Sequence, residues 1–248
     1  MMDKIRIVCF LSAFFALGCD EALEVEVTPV QSEISDELVG TYVMKIQTGL
    51  IQEIPVLGST PTMTTLYAIG TIDAHGDGVT LSETPCRMVN TATEQIVSTI
   101  RDAHTQSAPT YMRSLEVWEE SGVVQWRSPY RTIIIGAELD DPEADELPAD
   151  SEDIRVIDHD ADGNPGVTIE VSGLIDGEIY IVNRARRAYE GSFIDGVITG
   201  TNTDSSEQRT IGASNPFLEL EQKVRPDPDP TRNVVSFLKT DALVSCAE

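Results

Sequence analysis

Basic residues are scarce in this chain: 17 Lys and Arg stand against 42 Asp and Glu, a formal net charge of -25. A surface this acidic repels phosphate backbones and anionic membrane faces, so nucleic acid is not an expected partner. Histidine is scarcer still, with only His75, His104 and His159, too few for a zinc cluster built on imidazoles. The sequence also lacks a Gly-x-Ser-x-Gly elbow, a His-Glu-x-x-His pair, a phosphate-binding Gly-rich loop and a dinucleotide fingerprint. Acids are so numerous that some carboxylates must fall close together by chance, so no glycosidase reading follows. A non-enzymatic protein is therefore expected. No heptads and no Gly/Ser linker divide the chain. Beyond the first nineteen residues no apolar stretch approaches the ~20 residues that a helix needs to span a bilayer.

What is present begins at the N-terminus. Lys4 and Arg6 precede an apolar run from Ile7 to Leu17, followed by Gly18 and Cys19. A run of about a dozen apolar residues behind a basic start reads as an export signal rather than an anchor. The segment Ala16-Leu17-Gly18-Cys19 resembles the lipobox of bacterial lipoproteins, with Gly18 and Cys19 in place and the two preceding residues in swapped order. That resemblance implies removal of residues 1–18, lipidation of Cys19, and attachment to the bacterial cell envelope through the acyl chains alone. Several acyl chains suffice for stable anchoring. Ala16 and Gly18 also suit ordinary signal peptidase, which leaves a soluble secreted protein as the alternative. Residues 19–37 are acidic and carry no Lys or Arg. They form a tether reaching at most roughly 60 Å when extended. Residues 38–248 are then one β-barrel-like domain.

The four cysteines fit this division. Cys9 leaves with the signal, and acylation of Cys19 leaves Cys86 and Cys246 as one pair in an oxidising compartment. Such a disulfide closes a loop of well over a hundred residues, about 4–5 kcal/mol by chain entropy.

Alternating or β-branched runs occur at 39–46, 64–72, 79–87, 131–135, 154–157, 167–171, 178–182, 193–201 and 234–238, punctuated by Gly and Pro. Many strands at short spacing predict an all-β fold, a single antiparallel barrel-like, up-and-down domain with long acidic loops. Residues 93–104 form the one helix candidate, with Ile96, Ile100 and Ala103 on one face. Three stretches read as loops: the acid-dense Leu139–Asp153, the proline-rich 225–230, and a polar hairpin tip at 201–208. Gly40-Thr41-Tyr42, opening the first strand, resembles the Gly-x-Trp start of lipocalins, with Tyr in place of Trp.

The sharpest motif is Asp158-His159-Asp160-Ala161-Asp162-Gly163-Asn164. It resembles the calcium loops of EF-hands, dockerins and thrombospondin type 3 repeats. Calcium takes six to eight hard oxygens, and acids at alternate positions of a coiled loop converge on it. Asp158, Asp160 and Asp162 are the candidate ligands. Gly163 permits the turn, and Asn164 would add its backbone carbonyl. The twelfth position, a bidentate Glu in an EF-hand, is Ile169 here, with Glu170 one residue late. A structural calcium site thus needs a further acid, for which the 139–153 loop is the candidate source. Otherwise the segment is a polar turn whose Asp side chains bond their own backbone. Ile72-Asp73-Ala74-His75-Gly76-Asp77-Gly78 echoes the motif and suggests a second strand–turn–strand unit.

Trp118 and Trp126 flank an expected turn and read first as core residues, with a ligand cup lined together with Tyr130 as the alternative. Arg184 and Arg186 share a face of one strand with Arg187 opposite, a basic cluster expected to pair with the acidic loops. Two functions follow. One is a non-enzymatic envelope lipoprotein, a binding or structural β domain fixed by calcium, whose protein or small-molecule ligand is unspecified. The other is a lipocalin-like carrier of a small apolar ligand, which requires a hollow interior.

Overall fold

The computed structural model describes residues 37–54, 58–75, 78–91, 96–173, 175–219, 223–242 and 244–246. The signal segment, Cys19 and the tether lie outside the described residues, apart from Glu37. Among the described residues twelve strands form one sheet: β1 (Gly40–Ile54), β2 (Gly58–His75), β3 (Gly78–Asn90), β4 (Ile96–Ile100), β5 (Tyr111–Glu120), β6 (Val123–Ile135), β7 (Val167–Gly173), β8 (Gly177–Ile194), β9 (Val197–Asp204), β10 (Glu207–Ala213), β11 (Lys223–Pro226) and β12 (Val234–Thr240). One short helix, α1 (Asp102–Ser107), follows β4. Every strand pairing is antiparallel, and eight strands close into a ring in the order β1-β2-β3-β5-β6-β8-β9-β12. The expected all-β, barrel-like architecture is what the chain adopts.

Period-two patterning places the side chains. In β5, Tyr111, Arg113, Leu115 and Val117 are buried while Met112, Ser114, Glu116 and Trp118 are exposed. In β1, Tyr42, Met44 and Ile46 point inward between exposed Val43 and Lys45. One end of the ring is packed solid by Tyr42, Met44, Leu81, Trp126, Tyr189, Ile198 and Phe237. Trp126 and Tyr189 both pack on Phe237, at 5.5 Å and 6.4 Å between ring centres. Leu38 plugs this end, and the Tyr42 hydroxyl donates to its carbonyl at 2.6 Å. Burial of this apolar cluster drives closure, at about 25 cal/mol per Å² removed from water.

Above the packed end lies a layer of charge. Glu83 of β3 and Arg113 of β5 occupy inward positions, with side chains 3% and 2% exposed, joined at 3.1 Å. Arg113 also donates from Nη1 to the Arg187 carbonyl at 3.0 Å and stacks over the Tyr189 ring at 4.4 Å. Arg187 of β8 pairs with Asp204 of β9 at 2.8 Å.

Beyond this layer the sheet runs past the ring. The first part of β8 pairs with β7 on one edge and β10 on the other, and β7 carries β4. The aliphatic side chains Val167, Val171, Ile179 and Ile181, with Leu218, form a second core here. The excursion between β6 and β7 leaves at Gly136 and returns at Gly166, both at positive φ. A Cβ at Gly166 would lie 2.4 Å from the Ile181 carbonyl oxygen, so only glycine lets the chain pass this close to β8. The acidic stretch 139–153 is docked on the outer side of β8 and β10 by Leu147, which packs with Ala137, Val182 and Ile211. Cys86 and Cys246 form a disulfide with Cα atoms 4.8 Å apart, tying the C-terminal segment to β3.

Several expected elements differ. Ile96–Ile100 is a strand, not part of a helix, and the helix of this region is Asp102–Ser107; residues 93–95 lie outside the described residues. Ile96, Val97, Thr99 and Ile100 are β-branched, and the edge of β7 offers them a ladder, whereas an isolated short helix gains little. The run 193–201 is two strands joined at Asp195-Gly196, both residues at positive φ, as a two-residue hairpin requires. Residues 154–157 make only an isolated bridge between Val156 and Ala137. The stretch 201–208 is no hairpin tip, because β9 and β10 follow one another along the same edge of β8. Residues 225–226 belong to β11, which pairs with the end of β1. Of the two echoing motifs, the first is a tight β2–β3 hairpin with His75 opposite Gly78, and its Asp77 lies outside the described residues. The second is an open loop closed by a parallel bridge between Asp158 and Gly166, so the repeat is not structural.

Removing one partner of a buried pair strands the other charge, a loss of about 3–5 kcal/mol, whereas replacing both with apolar residues is far milder. Arg113→Met should therefore lower the urea stability of the protein by about 3–5 kcal/mol, and the double variant Glu83→Leu/Arg113→Met should recover most of that loss.

Candidate functional site

The half of the barrel beyond the charged layer is hollow. A cavity of about 410 Å³ opens there, lined by β1, β2, β3, β5, β6, β8 and β9 of the ring, by β4, β7, β10 and β11 outside it and by α1. The volume falls within the roughly 300–1,000 Å³ of small-molecule sites. Its walls are mainly aliphatic: Leu50, Met88, Ile100, Ile133, Ile135, Ile169, Val171, Ile179 and Ile181. Its floor is the charged layer, since Glu83, Arg113, Arg187 and Asp204 all line it. Phe217, 74% exposed, also lines the cavity and sits in a short 3-10 turn after β10.

These polar groups lie in the inward phase of strands whose other inward residues are apolar. Val79 and Leu81 precede Glu83 in β3, and Leu115 and Val117 follow Arg113 in β5. Charged residues in that phase were the signal available in the sequence, and it was missed. Burial pushes the Tyr111 hydroxyl up to about 12, with Glu83 adding to the shift, so the phenol stays protonated at the cavity wall. Burial opposes the charge on Arg187, but Asp204, Tyr189 and Glu83 together raise its pKa above the usual range.

The acidic loop abuts the α1 wall. The ligand atoms of Asp158, Asp160 and Asp162 all lie within 4.8 Å of one another, an arrangement capable of holding a metal ion. Gly163 takes φ +89°, as the sharp turn requires. The loop also satisfies much of its own bonding. Asp158 accepts from the Asp162 and Gly163 amides at 3.1 and 2.9 Å, and Asp160 Oδ2 accepts from the Thr168 amide at 3.1 Å. Asn164 donates its side-chain amide to Asp162 at 3.3 Å. Asp160 Oδ1 is buried with no hydrogen-bond partner among the described residues. Burial first, and the neighbouring carboxylates of Asp162 and Asp158 after it, raise the Asp160 pKa.

The expected further acid does not come from residues 139–153. Among the described residues, none of their carboxylates belongs to the cluster. A cation already stands beside it: Arg101, just ahead of α1, binds Glu170 at 2.6 Å, Asp162 at 3.1 Å and Glu178 at 3.3 Å. Asp162 sits below the usual carboxylate range: burial works against its charge, but hydrogen bonds from Thr168 and Asn164 and the charge of Arg101 outweigh it.

The other candidate residues separate. Trp126 faces the packed core opposite Val117, while Trp118 faces outward under Arg127. Adjacent strand positions point to opposite faces, so the two tryptophans do not share a cup. Tyr130 is exposed beneath Arg186. Arg184 donates to the Asp145 carbonyl and pairs with Glu207, and Arg186 pairs with Glu143, the expected association with acidic segments. Arg187 alone of the three reaches the interior.

No family model, curated protein or solved structure matches this chain.

His104 joins loop and cavity. It lines the cavity from α1, and its ring meets that of His159 at 6.1 Å. Its Nδ1 is buried and unpartnered among the described residues. Burial, with His159 adding, pushes its pKa from the ordinary 6.5 down to about 4. The unfolded chain therefore binds this proton first as pH falls, so stability is lost from about pH 6.5 down to about pH 4. Urea midpoints should fall across that window relative to His104→Leu, with a difference on the order of 3 kcal/mol at its acid end.

Proposed function

We propose that this chain is a non-enzymatic lipoprotein of the bacterial envelope that binds a small, largely apolar molecule in the open end of its barrel. The single observation carrying this reading is the aliphatic cavity of about 410 Å³ between the charged layer and the β4–β7–β8–β10 extension. A barrel that served only as a scaffold would fill this space with side chains. The cavity reading brings the carrier alternative forward over a purely structural domain. Export is supported by the disulfide, which persists in oxidising compartments.

The test is titration of the oxidised protein with the neutral apolar fluorophore N-phenyl-1-naphthylamine. Saturable binding at one site is expected, with Ile169→Trp, which fills the cavity, weakening it by about tenfold or more while the circular dichroism stays unchanged. Absence of saturable binding in the folded wild-type protein rejects the reading.

The acidic loop supports a second, compatible reading: calcium held by Asp158, Asp160 and Asp162 braces the wall that carries Arg101 and His104. The observation in its favour is the unpartnered Asp160 Oδ1 among converging carboxylates. Ligand that binds only the folded state raises stability by mass action. Millimolar calcium should raise the melting temperature over that in EDTA by several degrees, and Asp160→Asn should abolish the difference. Identical melts in calcium and EDTA would reduce the loop to a self-bonded turn.

A further inference from the structure

The floor of the cavity differs from its walls, and the difference concerns what a ligand must carry at its inner end. Two guanidinium groups and two carboxylates line it, so its formal charge cancels: Arg113 faces Glu83 at 3.1 Å, and Arg187 faces Asp204 at 2.8 Å. A ligand bearing a net charge would be stripped of water here without meeting an unmatched opposite charge, a cost that a neutral group avoids. Hydrogen-bonding capacity of both signs is nevertheless left over. Glu83 engages only Oε2, with Arg113, and among the described residues its Oε1 accepts nothing. Arg187 engages only Nε, with Asp204, and among the described residues its two terminal nitrogens donate to nothing. The floor thus offers a fork of donors on Arg187 and a free carboxylate oxygen on Glu83, both facing the one cavity. A hydroxyl, which both donates and accepts, satisfies the two at once.

We propose that the cavity takes an amphiphile with an uncharged, hydroxyl-bearing head, such as a monoacylglycerol, its head on Glu83 and Arg187 and its chain along the aliphatic wall of β7 and β8. This rests on the reading of the cavity as a ligand site and adds the ligand class to it. Arg113 is the more committed of the two guanidinium groups. All three of its donor nitrogens are engaged, by Glu83, the Arg187 carbonyl and the Tyr189 hydroxyl. The charged layer thereby sets the depth to which the chain can descend, because below it the barrel is packed by Trp126, Tyr189 and Phe237.

The experiment displaces bound N-phenyl-1-naphthylamine from the oxidised full-length protein with three amphiphiles of one chain length: monolaurin, laurate and dodecylamine. All are kept below their micellar concentrations at neutral pH. Monolaurin is expected to bind about tenfold tighter than either ion. Arg187→Lys keeps the charge opposite Asp204 but loses the planar fork, and should weaken monolaurin several-fold more than it weakens the fluorophore. The double variant Arg187→Leu/Asp204→Leu removes one charge pair whole, and should abolish the preference for monolaurin while still binding the fluorophore. Should that variant not fold, the result for Arg187→Lys decides. Tightest binding by laurate or dodecylamine overturns the assignment of the head and leaves the cavity reading standing. So does a monolaurin preference that neither variant disturbs. Failure of all three amphiphiles to displace a bound fluorophore overturns the ligand class. Failure of the fluorophore itself to bind removes the cavity reading and this inference with it.

Discussion

The structure depends on a layer of charge inside a barrel. Glu83, Arg113, Arg187 and Asp204 come from four ring strands, β3, β5, β8 and β9, and meet inside the barrel, with Arg187 the most exposed at 17% of its side chain. Desolvating four charges is expensive, and only close pairing with satisfied donors offsets it. That requirement sets the register of the strands around them. A slip of one residue in β3 or β5 would turn Glu83 or Arg113 to the outer face and bring an exposed residue inward. The layer also divides the interior. On one side, apolar and aromatic side chains fill the ring to the plug at Leu38. On the other, the ring strands continue but their inward side chains leave a hollow.

The hollow is shaped by what lies outside the ring. β8 is long enough to serve two neighbours on each edge, β6 then β7 on one and β9 then β10 on the other. Its first half therefore carries a second small sheet whose aliphatic face closes the cavity. Arg101 fastens this extension by reaching carboxylates on β7, β8 and the acidic loop at once. Because Arg101 is 38% exposed at the side chain, solvent screens these pairs and their contribution is geometric more than energetic. The loop, the α1 wall and the cavity thus form one contiguous region, joined by the contact of His104 with His159.

Much of the fold was legible because strand signals are local. Alternation marked β1, β2, β3, β7 and β12, and the acidic stretch 139–153 was readable as a loop from its composition. The misreadings have identifiable causes. Ile96 and Ile100 satisfy a helical spacing as well as a strand, and the free edge of β7, a non-local partner, decided between them. Asp195-Gly196 was a turn signal lying inside an otherwise continuous apolar run. At the site, the convergence of Asp158, Asp160 and Asp162 was readable from their spacing. Arg101 as their neighbour was not, because it stands 57 residues before Asp158 in the chain.

The sequence by itself determined the strand-rich class and the convergence of Asp158, Asp160 and Asp162, since each follows from residues within a few positions of one another. It also carried the candidate pair Cys86 and Cys246, given the loss of Cys9 and acylation of Cys19 that the lipobox resemblance implies. Only the tertiary structure decided that the barrel is packed at one end and hollow at the other. It alone paired Glu83 with Arg113 and Arg187 with Asp204. It alone set the two tryptophans on opposite faces, one in the core and one in solvent. The physical reason is that closure of a ring brings together inward residues from strands far apart in sequence. Whether they meet as packing, as an ion pair or across empty space depends on their summed volumes and charges, which no local pattern records.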